Sequence, residues 1–116
     1  MNKYFYIDDN GRSPVEEFFQ CIPDKITTRI YHYLDHIIEN EGLLIGVAFR
    51  KLHGYPLEEI RIKERKNLHR VIIKVRIRDA IIVLHGFTKR EGENTPQKEL
   101  EIALERYLKF KSKLEL

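Results

Sequence analysis

The chain has 116 residues, 42% hydrophobic and 34% charged, enough for one core and a single domain spanning residues 1–116 but not for separate catalytic and regulatory domains. Its formal net charge of +3 hides a segregation: residues 50–90 carry twelve basic and four acidic side chains, a net +8, while the rest carry nine basic and fourteen acidic, a net −5. One cysteine, Cys21, excludes an intramolecular disulfide, and no apolar run approaches the ~20 residues of a membrane span, so the expected location is the cytoplasm, with no membrane association.

The aromatic stretch 3–8 ahead of Asp9-Asn10-Gly11 predicts a first strand ending in a turn. Ser13-Pro14-Val15-Glu16 follows, with a hydroxyl for the N-cap, a proline where its missing N–H costs nothing and a glutamate able to reach back to the cap. It predicts a helix that buries Val15, Phe18, Phe19 and Ile22. Pro23-Asp24 ends that helix and opens a second, in which Ile26, Ile30, Tyr33, Leu34, Ile37 and Ile38 recur at helical spacing until Gly42. The two form a helical hairpin. From Leu57 the period changes to two: residues 57–63, 69–77 and 80–87 predict an antiparallel meander, since the turns between them are too short for helical crossovers. Thr95-Pro96 repeats the cap-then-proline signal ahead of a last helix, with Leu100, Ala103, Leu104, Tyr107 and Leu108 on one stripe. The expected class is α+β in the order β-α-α-β-β-β-α. The N-terminal strand and helical hairpin pack on a small, twisted, mainly antiparallel sheet, and a helix ends the chain.

Little in the chain suggests cofactor chemistry. The scattered glycines form neither a phosphate loop nor a dinucleotide fingerprint. His32 and His36 share a helix face but lack a third ligand nearby, so no metal is expected. Cys21, among apolar neighbours at a helix end, reads as a small core residue rather than a nucleophile. Alternation in the middle strand sets Val71, Ile73, Val75 and Ile77 on a packed face and Arg70, Ile72, Lys74, Arg76 and Arg78 on a basic one. Because the basic excess falls on consecutive strands, the charges converge in space, as binding a polyanion such as RNA requires. The competing reading is an ordinary solvated strand face.

The meander also carries a series of blocks: Lys51-Leu52-His53-Gly54, Leu57-Glu58-Glu59-Ile60-Arg61, His69-Arg70-Val71, Leu84-His85-Gly86-Phe87-Thr88-Lys89-Arg90 and Thr95-Pro96. In this order they resemble the HigB branch of the RelE/ParE toxin superfamily, its phage-derived relatives included. The resemblance implies a RelE-like toxin of a type II toxin-antitoxin system, a metal-independent endoribonuclease without cofactors that cleaves mRNA on the ribosome. It implies a helix-turn-helix, HigA-like antitoxin as partner, with operator DNA bound only through the antitoxin complex.

The resemblance also implies site residues. Arg61 and Arg70 would clamp the scissile phosphate, and one of Lys89 and Arg90 would stabilise or protonate the leaving group. His69 and His85 are second-rank proton shuttles. Lys51, Lys63, Lys74 and Arg76 are candidate RNA contacts, and Phe87 is divided between base stacking and the core. Glu58 stands where the family often has an aromatic, and Pro96 where some members have the tyrosine or histidine that ends the active site, which leaves the general base open. The ParE branch of the same fold poisons DNA gyrase without cutting RNA, and a non-catalytic RNA- or ribosome-binding module would use a basic face as well. Both stand as alternatives.

Overall fold

The computed structural model describes residues 1–75, 79–93 and 95–114. Its elements, in chain order, are β1 (Asn2–Phe5), α1 (Pro14–Phe19), α2 (Asp24–Glu39), β2 (Phe49–Lys51), β3 (Glu58–Glu64), β4 (Asn67–Val75), β5 (Ala80–Arg90) and α3 (Gln97–Leu114). Local chemistry sets the helix boundaries. The Ser13 hydroxyl accepts the Glu16 N–H at 3.4 Å and Pro14 follows it, which starts α1 as expected. Beyond α2, Gly42 adopts a φ of 88° and donates its N–H to the Ile37 carbonyl at 2.8 Å, turning the chain out of the helix.

Among the described residues five strands form one sheet, ordered β1-β5-β4-β3-β2. Strands β2 to β5 are antiparallel neighbours, and β1 closes the far edge parallel to β5, with Asn2 opposite Ala80. The α+β class and element order are as expected, with one addition. Strand β2 is three residues long, too short for Phe49-Arg50-Lys51 to show a period of two.

Alternation along the strands divides the core into two layers. Ile60, Ile62, Val71, Ile73 and Val83 meet the buried face of α1 and α2, formed by Val15, Phe19, Ile26, Ile30, Leu34 and Ile37. Leu57, Ile72, Ile82, Leu84 and Phe87 face the other way and meet Leu100, Ala103, Leu104 and Tyr107 of α3. Each fully buried Ile or Leu contributes about 1.5–3 kcal/mol, so slipping the register by one residue would forfeit burial on both faces.

This arrangement corrects the expectation that β4 has one packed face and one open basic face. Helix α3 lies over β4 and β5 and covers Ile72, and Arg70 on the same face is only 3% exposed. Arg76, Ile77 and Arg78 lie outside the described residues. Cys21 also departs from expectation. It is exposed, because it lies beyond the end of α1 and off the helical stripe that buries Val15 and Phe19.

Strand β5 contains a bulge: Ile72 pairs with His85 but Ile73 pairs with Val83, which leaves Leu84 as an extra residue. The shift in alternation brings both Leu84 and Phe87 to the α3 side and turns Gly86 toward α1. A Cβ built on Gly86 would stand 2.3 Å from Cδ2 of Phe18. Gly86→Ala is therefore expected to destabilise the fold by about 1–3 kcal/mol, measured by urea denaturation, with a smaller cost in a Phe18→Ala background. Equal costs in the two backgrounds would contradict this packing.

Candidate functional site

An open cleft of about 640 Å³ lies on the β2 side of the sheet, walled by α2, strands β2 to β4 and the loop leading from β5 into α3. Its cations come from separate parts of the chain: Arg29 on α2, Arg50 on β2, Arg61 and Lys63 on β3, Arg70 on β4, and His53 on the β2–β3 loop. Pairing explains the convergence. Arg50 lies opposite Glu59 and Arg61 opposite Arg70, so alternation places all four side chains on one face.

These cations differ in what already occupies them. Lys63 is tied to Glu91 at 2.7 Å. Arg70 donates from Nη2 to the Glu93 carbonyl at 2.7 Å and from Nη1 to Thr95 Oγ1, so it pins the loop before α3 to the sheet. Beneath them Glu59 is 0% exposed; it accepts from Thr95 Oγ1 at 3.3 Å and lies 3.9 Å from Arg61 Nε. Burial pushes the Glu59 carboxyl above the ordinary carboxylate range, against the pull of Arg70, Arg50 and Arg61. Burial likewise works against the charge on Arg70, which Glu59 favours. Arg50 is exposed and Arg61 half-buried, so these two guanidiniums face an incoming ligand while Arg70 stands behind them.

Of the residues predicted from the sequence, the fold brings Arg61, Arg70 and Lys63 into this cleft. His69 falls by alternation on the α1–α2 side with Val71, where Nε2 is 2.9 Å from Glu64 Oε1 and Nδ1 is 2.8 Å from Thr88 Oγ1. The hydrogen bond to His69 holds the Glu64 carboxyl below its usual range. Lys89 is opposite Leu68 and Arg90 opposite Asn67, at the end of β5 and outside the cleft lining. Lys51, opposite Glu58, and Lys74, 6.0 Å from the Tyr107 ring centroid, line a different hollow at the other end of β3 and β4. Phe87 is buried in the α3-side core and stacked on His85 with ring centroids 5.4 Å apart. Sequence reasoning missed Arg29, Arg50, His53 and Glu59. Three of these sit in or beside the blocks at 51–54 and 57–61, whereas Arg29, one cation on the polar side of a helix, carries no signal of its own.

Residues 17–108 match the family model described as Phage derived protein Gp49-like (DUF891). The chain belongs to this family. The Gp49-like segment contains the whole cleft lining, from Arg29 to Leu100, and the family is of the RelE-like toxin type in general. No curated protein matches the chain, and no helix among the described residues is long and apolar enough to cross a membrane.

In this Gp49-like domain α3 is fastened to the bulged strand by a polar contact. Arg106 Nη1 donates to the Leu84 carbonyl at 2.9 Å and lies 3.1 Å from His85 Nδ1, while His85 Nε2 is 3.4 Å from Glu99 Oε1. Burial, helped by Arg106 and opposed by Glu99, lowers the His85 pKa below 6.5. In the unfolded chain His85 takes up its proton as the pH falls through 6.5, while in the folded domain it stays neutral to lower pH. Stability is therefore lost as the pH drops below about 6.5 and levels off below the folded value, with a slope from this group of at most ~1.4 kcal/mol per pH unit. Urea unfolding of wild type and His85→Gln from about pH 7 down to about pH 5.5 checks this. The wild type should lose more stability than the variant, and parallel curves would contradict the assignment.

Proposed function

We propose that this Gp49-like protein is the toxin of a type II toxin-antitoxin pair that cleaves mRNA on the ribosome, without a metal ion, by attack of a ribose 2′-hydroxyl on the neighbouring phosphate. The observation that carries this reading is the convergence of Arg50, Arg61, Arg70 and His53 on one open cleft in a RelE-like toxin domain. Converging cations are what a polyanion requires, and the guanidinium fork matches paired phosphate oxygens better than an ammonium does.

The reaction needs a proton acceptor, charge stabilisation and a proton donor. His53, an imidazole on the cleft wall, takes the 2′-hydroxyl proton as the new O–P bond forms. Arg61 and Arg50 stabilise the added negative charge of the phosphorane, with Arg70 behind them adding to the positive field. The P–O5′ bond then breaks and the leaving oxygen is protonated by Lys63, freed from Glu91 as RNA enters. Lys89 or Arg90 is the second reading for this last role, on the family resemblance of the strand end that carries them. The ends produced are a 2′,3′-cyclic phosphate and a 5′-hydroxyl. A helix-turn-helix antitoxin in the cytoplasm is the proposed neutralising partner.

Expression of the wild-type protein in cells, with growth and transcript ends followed together, tests the reading. Growth arrest with cyclic-phosphate and 5′-hydroxyl ends within messages is expected. Intact transcripts with broken DNA would assign the protein to gyrase poisoning, and salt-sensitive RNA or ribosome association without cleaved ends would make it a binding module; either result overturns the ribonuclease reading.

A further inference from the structure

The cleft floor places like charges side by side. Arg61 and Arg70 are directly opposite on β3 and β4, and Arg50 is one strand further out, opposite Glu59. Cationic pairs so placed repel. Enclosed among them is the carboxylate of Glu59, whose Oε2 accepts from Thr95 and whose Oε1, 3.9 Å from Arg61 Nε, has no hydrogen-bond partner among the described residues. The Nε atoms of Arg61 and Arg70 are buried and have no partner among the described residues either. A buried carboxylate is costly unless its charge is used, and here three guanidiniums surround it.

We propose that Glu59 is a positioning residue of the cleft, the common counter-ion that sets the separation and orientation of the Arg61 and Arg70 guanidiniums and ties them through Thr95 to the loop before α3. Being fully enclosed, it touches no substrate and acts through the arginines. Its consequence for cleavage rests on the ribonuclease reading above; its effect on the arginines does not.

Charge alone and positioning predict opposite results when Glu59 is neutralised. If Glu59 merely subtracts from the cleft's field, Glu59→Gln leaves the cleft more positive, RNA binds more tightly and cleavage does not suffer. If it positions the arginines, kcat falls about 10- to 100-fold because the groups that meet the phosphorane lose their geometry, while KM for a single-stranded RNA oligonucleotide does not rise.

The experiment uses the full chain as wild type, Glu59→Gln and Glu59→Asp. The Arg Nε–H signals are recorded by NMR, and kcat and KM for the RNA oligonucleotide are measured well below each variant's Tm. The expected result is resolved, slowly exchanging Arg61 and Arg70 Nε–H signals in the wild type that move to the solvent-averaged position in Glu59→Gln, with kcat reduced in step and partly restored by Glu59→Asp. Unchanged Nε–H signals, or a Glu59→Gln variant that cleaves as fast as the wild type, would overturn the proposal. A wild type that cleaves no RNA brings down the ribonuclease reading, and the Nε–H signals then decide the positioning role alone. Should Glu59→Gln fail to fold, Thr95→Val, which removes the hydroxyl between Glu59 and Arg70, carries the same test on the Arg70 signal.

Discussion

Replacing Arg70 by alanine is expected to cost about 3–5 kcal/mol of stability, whatever it does to activity. The side chain is 3% exposed and makes two hydrogen bonds to the loop before α3. Its removal leaves the enclosed Glu59 carboxylate without the first of the cations that offset its burial, and it releases Glu93 and Thr95 from the sheet. For a domain of this size the loss corresponds to a fall in Tm on the order of 15 °C. Arg70→Lys should recover little, because an ammonium cannot span the Glu93 carbonyl and the Thr95 hydroxyl as the guanidinium fork does. Removing both charges, as Arg70→Met with Glu59→Leu, should cost less than Arg70→Ala alone. Urea denaturation of the four proteins measures this, and an Arg70→Ala variant within about 1 kcal/mol of wild type would contradict a buried structural role.

Arg61→Ala should behave in the opposite way, with folding nearly intact and cleavage lost. Arg61 is half-buried at the cleft floor, and under the proposed ribonuclease function its truncation removes a donor for the developing charge, a loss of about 10²- to 10³-fold in kcat, or about 3–4 kcal/mol of transition-state stabilisation. RNA affinity should weaken and its salt slope decrease by about one phosphate's worth. The informative comparison is Arg90→Ala, which removes a cation outside the cleft lining. If Arg90→Ala is the inactive variant and Arg61→Ala retains cleavage, the chemistry belongs at the end of β5 and the cleft assignment fails. Both variants can be assayed by mapping transcript ends, with Tm measured on the same preparations.

The secondary structure was largely legible because its signals are local. The Ser13-Pro14 cap, the helical spacing from Ile26 to Ile37 and the period of two in β3 to β5 each declare an element within a few residues. Strand β2 has no such signal, since three residues exist as a strand only through their pairing with β3. The site was legible in part for a related reason. The family resemblance groups Arg61 with Arg70, and the register of β3 on β4 sets them opposite each other, but alternation along a strand cannot say what covers a face, and the docking of α3 turns Arg70 from an open cation into an enclosed one. Nor can alternation count through a bulge: the extra residue at Leu84 sets which side His85 reaches, and no local motif announces it. Arg29 and Arg50 join the cleft from α2 and β2, contributions that depend on tertiary packing between segments distant in the chain.

The parallel pairing of β1 with β5 joins Asn2 to Ala80, so β1 is synthesised long before its partner exists. Such a long-range pairing pays its loop-closure entropy before any contact rewards it. The cleft is completed later still, because Arg70 acquires its hydrogen-bond partners only with Glu93 and Thr95. A nascent chain that has not yet extruded Thr95 therefore has its Arg50 and Arg61 in place before the buried arginine beside them is anchored.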